Sequence, residues 1–282
     1  MLNEVGLYFN NSSPMNGPGK VCRNLLLGLK RLGVSVRQNV SLEYTGFLQP
    51  VRELEDFFES NFLLGPNLFV LPSDVASSFW ESPRKLVVPC QWVKNLYREY
   101  LDSKHDIYTW PTGIDTDKFY KKYNKEIKYD CLIYFKNGSA KTLQELISIL
   151  EEKSLTYRQI TYGSYNEDEF IQLAQSSRFG VTVTRTESQG IAYQEMLSMN
   201  LPLYVLDKLV WDDMPHVSFP ATSAPYFDDR CGIKHPDLSG LEEFIEKQDE
   251  FEPREYILEN LTLEKCARKY VSLLEFCNDH KT

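Results

Sequence analysis

The chain has 282 residues, of which 42% are hydrophobic and 25% charged, and it carries a formal net charge of −9. That is enough apolar side chain for two lean cores of ordinary domain size, and too much for a chain that stays unfolded. The acidity disfavours a protein whose main task is gripping phosphate backbone or adhering broadly to anionic membrane, although it does not exclude a nucleic-acid acceptor.

In chain order, EVGLYFN from Glu4 reads as a first strand. KVCRNLLLGLKRLG follows as a helix, with Val21, Leu25, Leu29 and Leu32 on one face and Gly33 as its stop. VSVRQN, NLFVLP and RKLVVPC read as further strands, and QWVKNLYREYLDS as a second helix. WPTGIDTDKFYKKYNKEIKY, with Pro111 and Gly113, reads as a junction. A second alternating series follows: strand YDCLIYFK, a helix from about Lys141 to Lys153, strand YRQITYG, helix EDEFIQLAQ, strand RFGVTVTR, a helix from Gly190 and strand LPLYVLD. Leu263, Ala267, Tyr270, Leu274 and Cys277 place one apolar stripe on a last helix. Strands alternating with helices imply crossover units and parallel sheets, so the expected fold is α/β with two Rossmann-like, doubly wound domains facing a central cleft. The expected boundaries are 1–111, 112–258, and a helix over 259–282 packing back across the junction.

Cys22, Cys90, Cys131, Cys231, Cys266 and Cys277 are scattered, with no Cys-x-x-Cys pair and no His at metal spacing. They read as reduced, mostly buried thiols of a cytoplasmic protein. The start lacks the basic and apolar regions of a signal peptide, and no apolar run approaches the ~18–20 residues of a membrane span.

RTESQGIAYQEM, residues 185–196, carries the most chemical information. Gly190 opens a helix whose free N–H groups and dipole suit a diphosphate. Glu187 precedes that anion site and Glu195 follows it, where carboxylates are reasonable only if they accept hydrogen bonds from sugar or ribose hydroxyls. Taken alone, the pair reads more readily as solvated charges on a helix start and its outer face.

ESQGIAYQE has the spacing of the E-x7-E signature of retaining, family-four-like (group 1) glycosyltransferases of the GT-B type, and four more segments resemble that family in its order. SPMNGPGKVCRNLLLGLKRLG is similar to its amino-terminal glycine-rich loop and helix. VPCQWVKNLYREY with YTWPTGIDTDKFY resembles the segment leading into its second domain. CLIYFKNGSAKTLQELISIL resembles its phosphate-binding strand and helix, and ITYGSYNEDEFIQLAQSSRFGVTVTRTESQG the run from base-binding turn to E-x7-E. Residues from about Ser41 to Glu81 carry little resemblance.

The resemblance implies that Glu195 holds the ribose hydroxyls and Glu187 those of the transferred sugar. It implies that Gly190 and Ile191 offer N–H groups to the diphosphate, and that Lys141 neutralises charge on the leaving group. Lys136 stands where the family has Arg, giving a point charge without a bidentate fork. Gly17 and Gly19 would let the first domain approach the donor, and Tyr162 and Gly163 would lie beside the base. The expected activity is metal-independent transfer of a hexosyl-type sugar from a UDP- or GDP-sugar to a hydroxyl of a saccharide or other acceptor, with retention and with no cofactor. One departure stands out: many relatives carry a His in the amino-terminal domain, and none precedes His105 here. SDVASS, with Ser73 and Asp74 after NLFVLP, is the expected place of a substitute. A catalytically retired nucleotide-sugar-binding protein and an enzyme acting on a DNA base are the alternatives. The acidic RELEDFFES favours a soluble acceptor. Asp212–Asp213 and Asp228–Asp229 read as solvated turns.

Overall fold

The computed structural model describes residues 2–10, 17–49, 62–123 and 126–279. The first four residues of SPMNGPGKVCRNLLLGLKRLG and the acidic stretch RELEDFFES, both quoted above, lie outside them. In chain order the elements are β1 (Glu4–Tyr8), α1 (Gly17–Arg31), β2 (Ser35–Gln38), β3 (Thr45–Phe47), β4 (Leu63–Leu64), β5 (Lys85–Val88), α2 (Gln91–Tyr100) and β6 (Asp106–Thr109). There follow β7 (Tyr129–Lys136), α3 (Ala140–Glu152), β8 (Tyr157–Thr161), α4 (Glu167–Ser176), β9 (Ser177–Thr184), α5 (Ile191–Ser198) and β10 (Leu203–Leu206). The chain continues through β11 (Val210–Trp211), β12 (Phe219–Pro220), β13 (Gly232–His235), α6 (Leu241–Lys247), α7 (Pro253–Asn260) and α8 (Leu263–Asp279). It divides into two compact units, Met1–Gly113 with Leu261–Thr282, and Ile114–Asn260.

The first unit is built on a six-stranded sheet of order β2-β1-β3-β4-β5-β6, parallel throughout. Parallel strands are covered on both faces, so they read as continuous apolar runs, and β5 is buried along its whole length. The stripe predicted for the last helix is buried: Leu263, Ala267, Tyr270, Leu274 and Cys277 face inward from α8. There the Trp110 indole N–H donates to the Cys266 carbonyl at 2.7 Å, and its ring meets Tyr270 edge-on. Arg31 of α1 pairs with Glu264 of α8 at 3.2 Å.

The second unit carries a five-stranded parallel sheet of order β13-β10-β9-β7-β8. Cys131, Ile133, Phe179, Val181, Val183 and Tyr204 of its strands pack with Leu146 and Leu150 of α3 and Phe244 of α6. β8 lies on one side of β7, and β9, β10 and β13 lie on the other. The strand order therefore reverses between β7 and β9, and the crevice outside the carboxyl ends of such a pair is where open α/β sheets bind ligands. In the first sheet the same reversal falls between β1 and β3.

NLFVLP is not a strand. The strand of that region is β4, just upstream, and Val70 is exposed. Its backbone is taken by side chains instead: the Tyr97 hydroxyl donates to the Phe69 carbonyl, and the Leu71 N–H donates to the Asp74 carboxylate at 2.8 Å. Asp74 is thus engaged in a local turn. All six cysteines are buried and free, and no described helix is long and apolar enough to cross a membrane.

Candidate functional site

At the switch point of the second sheet, β7 ends at Lys136 and β9 at Thr184, whose loop leads through Glu187 to α5. Gly138 lets the two strand ends close up. A Cβ there would stand 2.5 Å from the Val183 carbonyl oxygen, so any larger residue would push the loop off β9. The structure brings three of the predicted residues together. Lys136 Nζ donates to Glu187 Oε1 at 2.6 Å and stands 4.7 Å over the ring of Tyr162. Both charged side chains are largely screened, with Lys136 27% and Glu187 14% exposed. The lysine charge is therefore held at the strand end between a carboxylate and an aromatic face. Tyr162 is set by its own N–H, which donates to the Phe135 carbonyl at 2.9 Å, and Gly163 continues that turn.

Gly190 caps α5 in the left-handed conformation, φ 67°, and as a glycine brings no side chain of its own to the helix end. The first N–H groups of a helix have no intrahelical acceptor, and the first of α5 belongs to Ile191, which is buried. Glu195, a turn further on, is wholly buried. Its carboxylate is a neighbour of Tyr165, whose phenol is pushed up first by burial and then by the Glu195 charge. Tyr134, Tyr165 and Tyr193 pack edge-on around Tyr134. Burial, followed by neighbouring phenols and Glu187, also drives the Tyr134 hydroxyl far above its ordinary value, and Tyr193 is raised by burial and then Glu187. These phenols remain protonated, polar but uncharged, close to the two glutamates. The sequence analysis passed over them because spacing alone does not separate a tyrosine beside a site from one in a core.

Lys141 is placed differently. It lies on the outer face of α3, 86% exposed, 3.7 Å from Glu145 one turn along. In the first unit, Gly17 opens α1 and Gly19 is buried in its first turn. They follow β1, beside that sheet's own reversal point, where Tyr8 stacks on Phe47 at 4.3 Å. The Asn67 amide donates to the Pro18 carbonyl at 3.4 Å.

The acidic dipeptides are less free than the sequence suggests. Arg185 bonds both Asp212 and Asp213, and Arg230 pairs with Asp228. Nothing short-range announces the Arg185 contacts, since the partners lie almost thirty residues downstream. Among the described residues no three His, Cys, Asp or Glu side chains are grouped so as to hold a metal ion.

No protein-family model matches the chain, and no curated protein matches it in sequence. Solved structures do resemble it. AviGT4, a glycosyltransferase involved in avilamycin A biosynthesis, is 11% identical with a TM-score of 0.58, the likeness covering 98% of each chain. A sucrose-phosphate synthase from Thermosynechococcus elongatus is 11% identical with a TM-score of 0.63, over 97% of this chain and 98% of its own. An alpha-glucosyltransferase solved with UDP and a 13-mer DNA is 11% identical with a TM-score of 0.52, over 98% of this chain and all of its own. At such identities the likeness is one of fold: α/β with two Rossmann-like parallel-sheet domains, the GT-B class to which these glycosyltransferases conform.

Proposed function

We propose that the protein is a glycosyltransferase that takes its sugar from a nucleoside diphosphate and passes it to a hydroxyl acceptor. The observation that carries this reading is the meeting of Lys136, Glu187 and the Gly190-capped start of α5 at the β7/β9 reversal point. In it, Glu195 receives the ribose hydroxyls, the α5 N-terminus and Lys136 receive the diphosphate, and Glu187 receives hydroxyls of the sugar. Tyr162 and Gly163 lie towards the base. As the bond to the anomeric carbon breaks, negative charge grows on the β-phosphate. A fixed cation and fixed N–H dipoles stabilise that charge without reorganising. Lys141 joins them if its side chain leaves Glu145, a surface pair of little energetic weight. We assign the reaction as metal-independent and retaining, with UDP or GDP as the carrier, on the resemblance of ESQGIAYQE and its flanking segments to the E-x7-E group.

The test is thermal unfolding of the pure protein with UDP, GDP, ADP and their sugars, each with Mg2+ and with EDTA. A ligand at about a hundredfold its dissociation constant stabilises the native state by about 2.7 kcal/mol. The expected result is a shift with one nucleotide, unchanged by EDTA and abolished by Glu195→Ala. No shift with any nucleotide overturns the donor site. A shift with no sugar transfer or slow donor hydrolysis would instead mark a binding protein that has lost catalysis. A second reading keeps this donor site and takes a base in DNA as acceptor. The fold likeness to the glucosyltransferase solved with UDP and DNA favours it, and transfer to duplex DNA rather than to saccharides would establish it.

A further inference from the structure

Arg185 leaves β9 two residues ahead of Glu187. Its Nη2 stands 2.7 Å from Oδ1 of Asp212 and 2.7 Å from Oδ1 of Asp213. Lys208 donates to Asp212 as well. The two aspartates follow β11 and open the turn of the β11–β12 hairpin, whose strands pair Val210 with Pro220 and Trp211 with Phe219. The far end of that hairpin returns to the same loop, because the Glu187 N–H donates to the Thr222 carbonyl at 3.0 Å. Thr222 is anchored in turn: its hydroxyl donates to the Asp207 carboxylate at 2.7 Å, and the Ser223 N–H donates to the same oxygen at 2.6 Å. The loop bearing Glu187 is therefore tied to the hairpin at two points, one through four charged groups and one through the backbone of Glu187 itself.

We infer that Arg185 is a positioning residue: by holding Asp212 and Asp213 it locks the β11–β12 hairpin against the 185–190 loop and fixes the Glu187 carboxylate at the sugar end of the donor. The inference rests on the donor-site reading above. All three partners are exposed by a third to a half, so the pairs add little to global stability. Their effect lies in geometry. A group misplaced by about 1 Å at a reacting centre costs up to about 100-fold in rate. The ribose and diphosphate contacts come from α5 and β7, so nucleotide binding is spared while turnover is not.

The experiment compares the wild-type chain with Arg185→Ala, Arg185→Lys, the double variant Asp212→Asn/Asp213→Asn, and the triple combination. The probes are UDP with UDP-glucose and GDP with GDP-mannose. Three quantities are read: affinity for the diphosphate by calorimetry, kcat for donor hydrolysis or transfer, and hydrogen exchange of the Glu187 amide without ligand. Arg185→Ala should lower kcat by about 10- to 100-fold and leave the dissociation constant of UDP or GDP within about threefold, while the Glu187 amide exchanges faster than in wild type. Arg185→Lys should recover part of the rate. The aspartate pair acts through the same contact, so the triple variant should be no slower than Arg185→Ala alone. Wild-type turnover and unchanged Glu187 protection in Arg185→Ala would overturn the inference, as would effects that simply multiply in the triple variant. A wild-type chain that binds neither nucleotide overturns the donor-site reading and the positioning role with it; one that binds and turns over while Arg185→Ala matches it overturns only the latter. If Arg185→Ala fails to fold, Arg185→Lys and the aspartate variants carry the same comparison.

Discussion

Replacing Glu187 with Gln should tighten the binding of a nucleoside diphosphate while slowing sugar transfer. The Glu187 carboxylate lies 2.6 Å from Lys136 Nζ, and both groups are mostly shielded from water. A diphosphate arriving at the start of α5 meets the lysine favourably and the carboxylate unfavourably. At an effective dielectric constant of about 20, a carboxylate about 7 Å from one unit of phosphate charge repels it by about 2.4 kcal/mol. Residual solvent access and salt reduce that to a net of about 1 kcal/mol, or roughly fivefold in affinity. Transfer goes the other way, because a hydrogen bond between a sugar hydroxyl and a charged acceptor contributes about 1.5–3 kcal/mol, so turnover falls about tenfold or more. Calorimetric titration of wild type and Glu187→Gln with UDP and GDP, at low and high salt, separates the two effects. The gain in affinity should shrink as salt rises. Equal or weaker diphosphate binding by a variant that unfolds at the wild-type temperature would show that the Lys136–Glu187 pair does not face the diphosphate, and the argument would fail.

Two glycines at the site should differ in cost for different reasons. Gly190→Ala meets no neighbour closer than Tyr193 Cδ2 at 3.6 Å and should cost only the left-handed penalty of about 1–2 kcal/mol. Gly138→Ala drives a Cβ to 2.5 Å from the Val183 carbonyl oxygen and should cost as much or more, about 2–3 kcal/mol; urea unfolding ranks them, and the reverse order would contradict the packing argument. Burial holds the buried His105 below its ordinary pKa, with Asp102 opposing. The unfolded chain, titrating near about 6.5, then takes up a proton that the native chain refuses. Stability is full above that pH and falls as pH drops below it, so urea unfolding at about pH 7.5 and 5.5 should show a loss that His105→Asn reduces. Burial pushes Cys22 and Cys277 up to about 11, and Cys90, Cys231 and Cys266 up to about 12. The native protein should therefore stay silent to a thiol reagent near neutral pH and react only when unfolded.

The second unit was the more legible in sequence. YDCLIYFK, YRQITYG and RFGVTVTR are long apolar runs closed by turn residues, and they are β7, β8 and β9. Strands of two or three residues such as β3 and β4 carry too few side chains for a period to show, and NLFVLP imitates a strand because its apolar composition says nothing of who takes its hydrogen bonds. At the site, the helix start at Gly190 and the Lys136–Tyr162–Glu187 meeting follow from segments that are each local. The Arg185 contacts, the Asp207 anchor and the tyrosine cluster come from residues far apart along the chain, which only the sheet order brings side by side. Lys141 shows the limit of motif spacing, since a position at a helix start does not fix which way a long side chain turns.

The first unit is discontinuous in sequence: its last helix, α8, supplies Tyr270 against Trp110 and the Cys266 carbonyl to that indole. A ribosome releases residues 1–113 long before it makes 261–282. The nascent amino-terminal half emerges with a wall of its core still missing, whereas residues 114–260 are complete in one pass. The usual vectorial order, amino-terminal domain first, is thus inverted, and the amino-terminal half stays open to chaperones and proteases until residues 261–282 have left the exit tunnel.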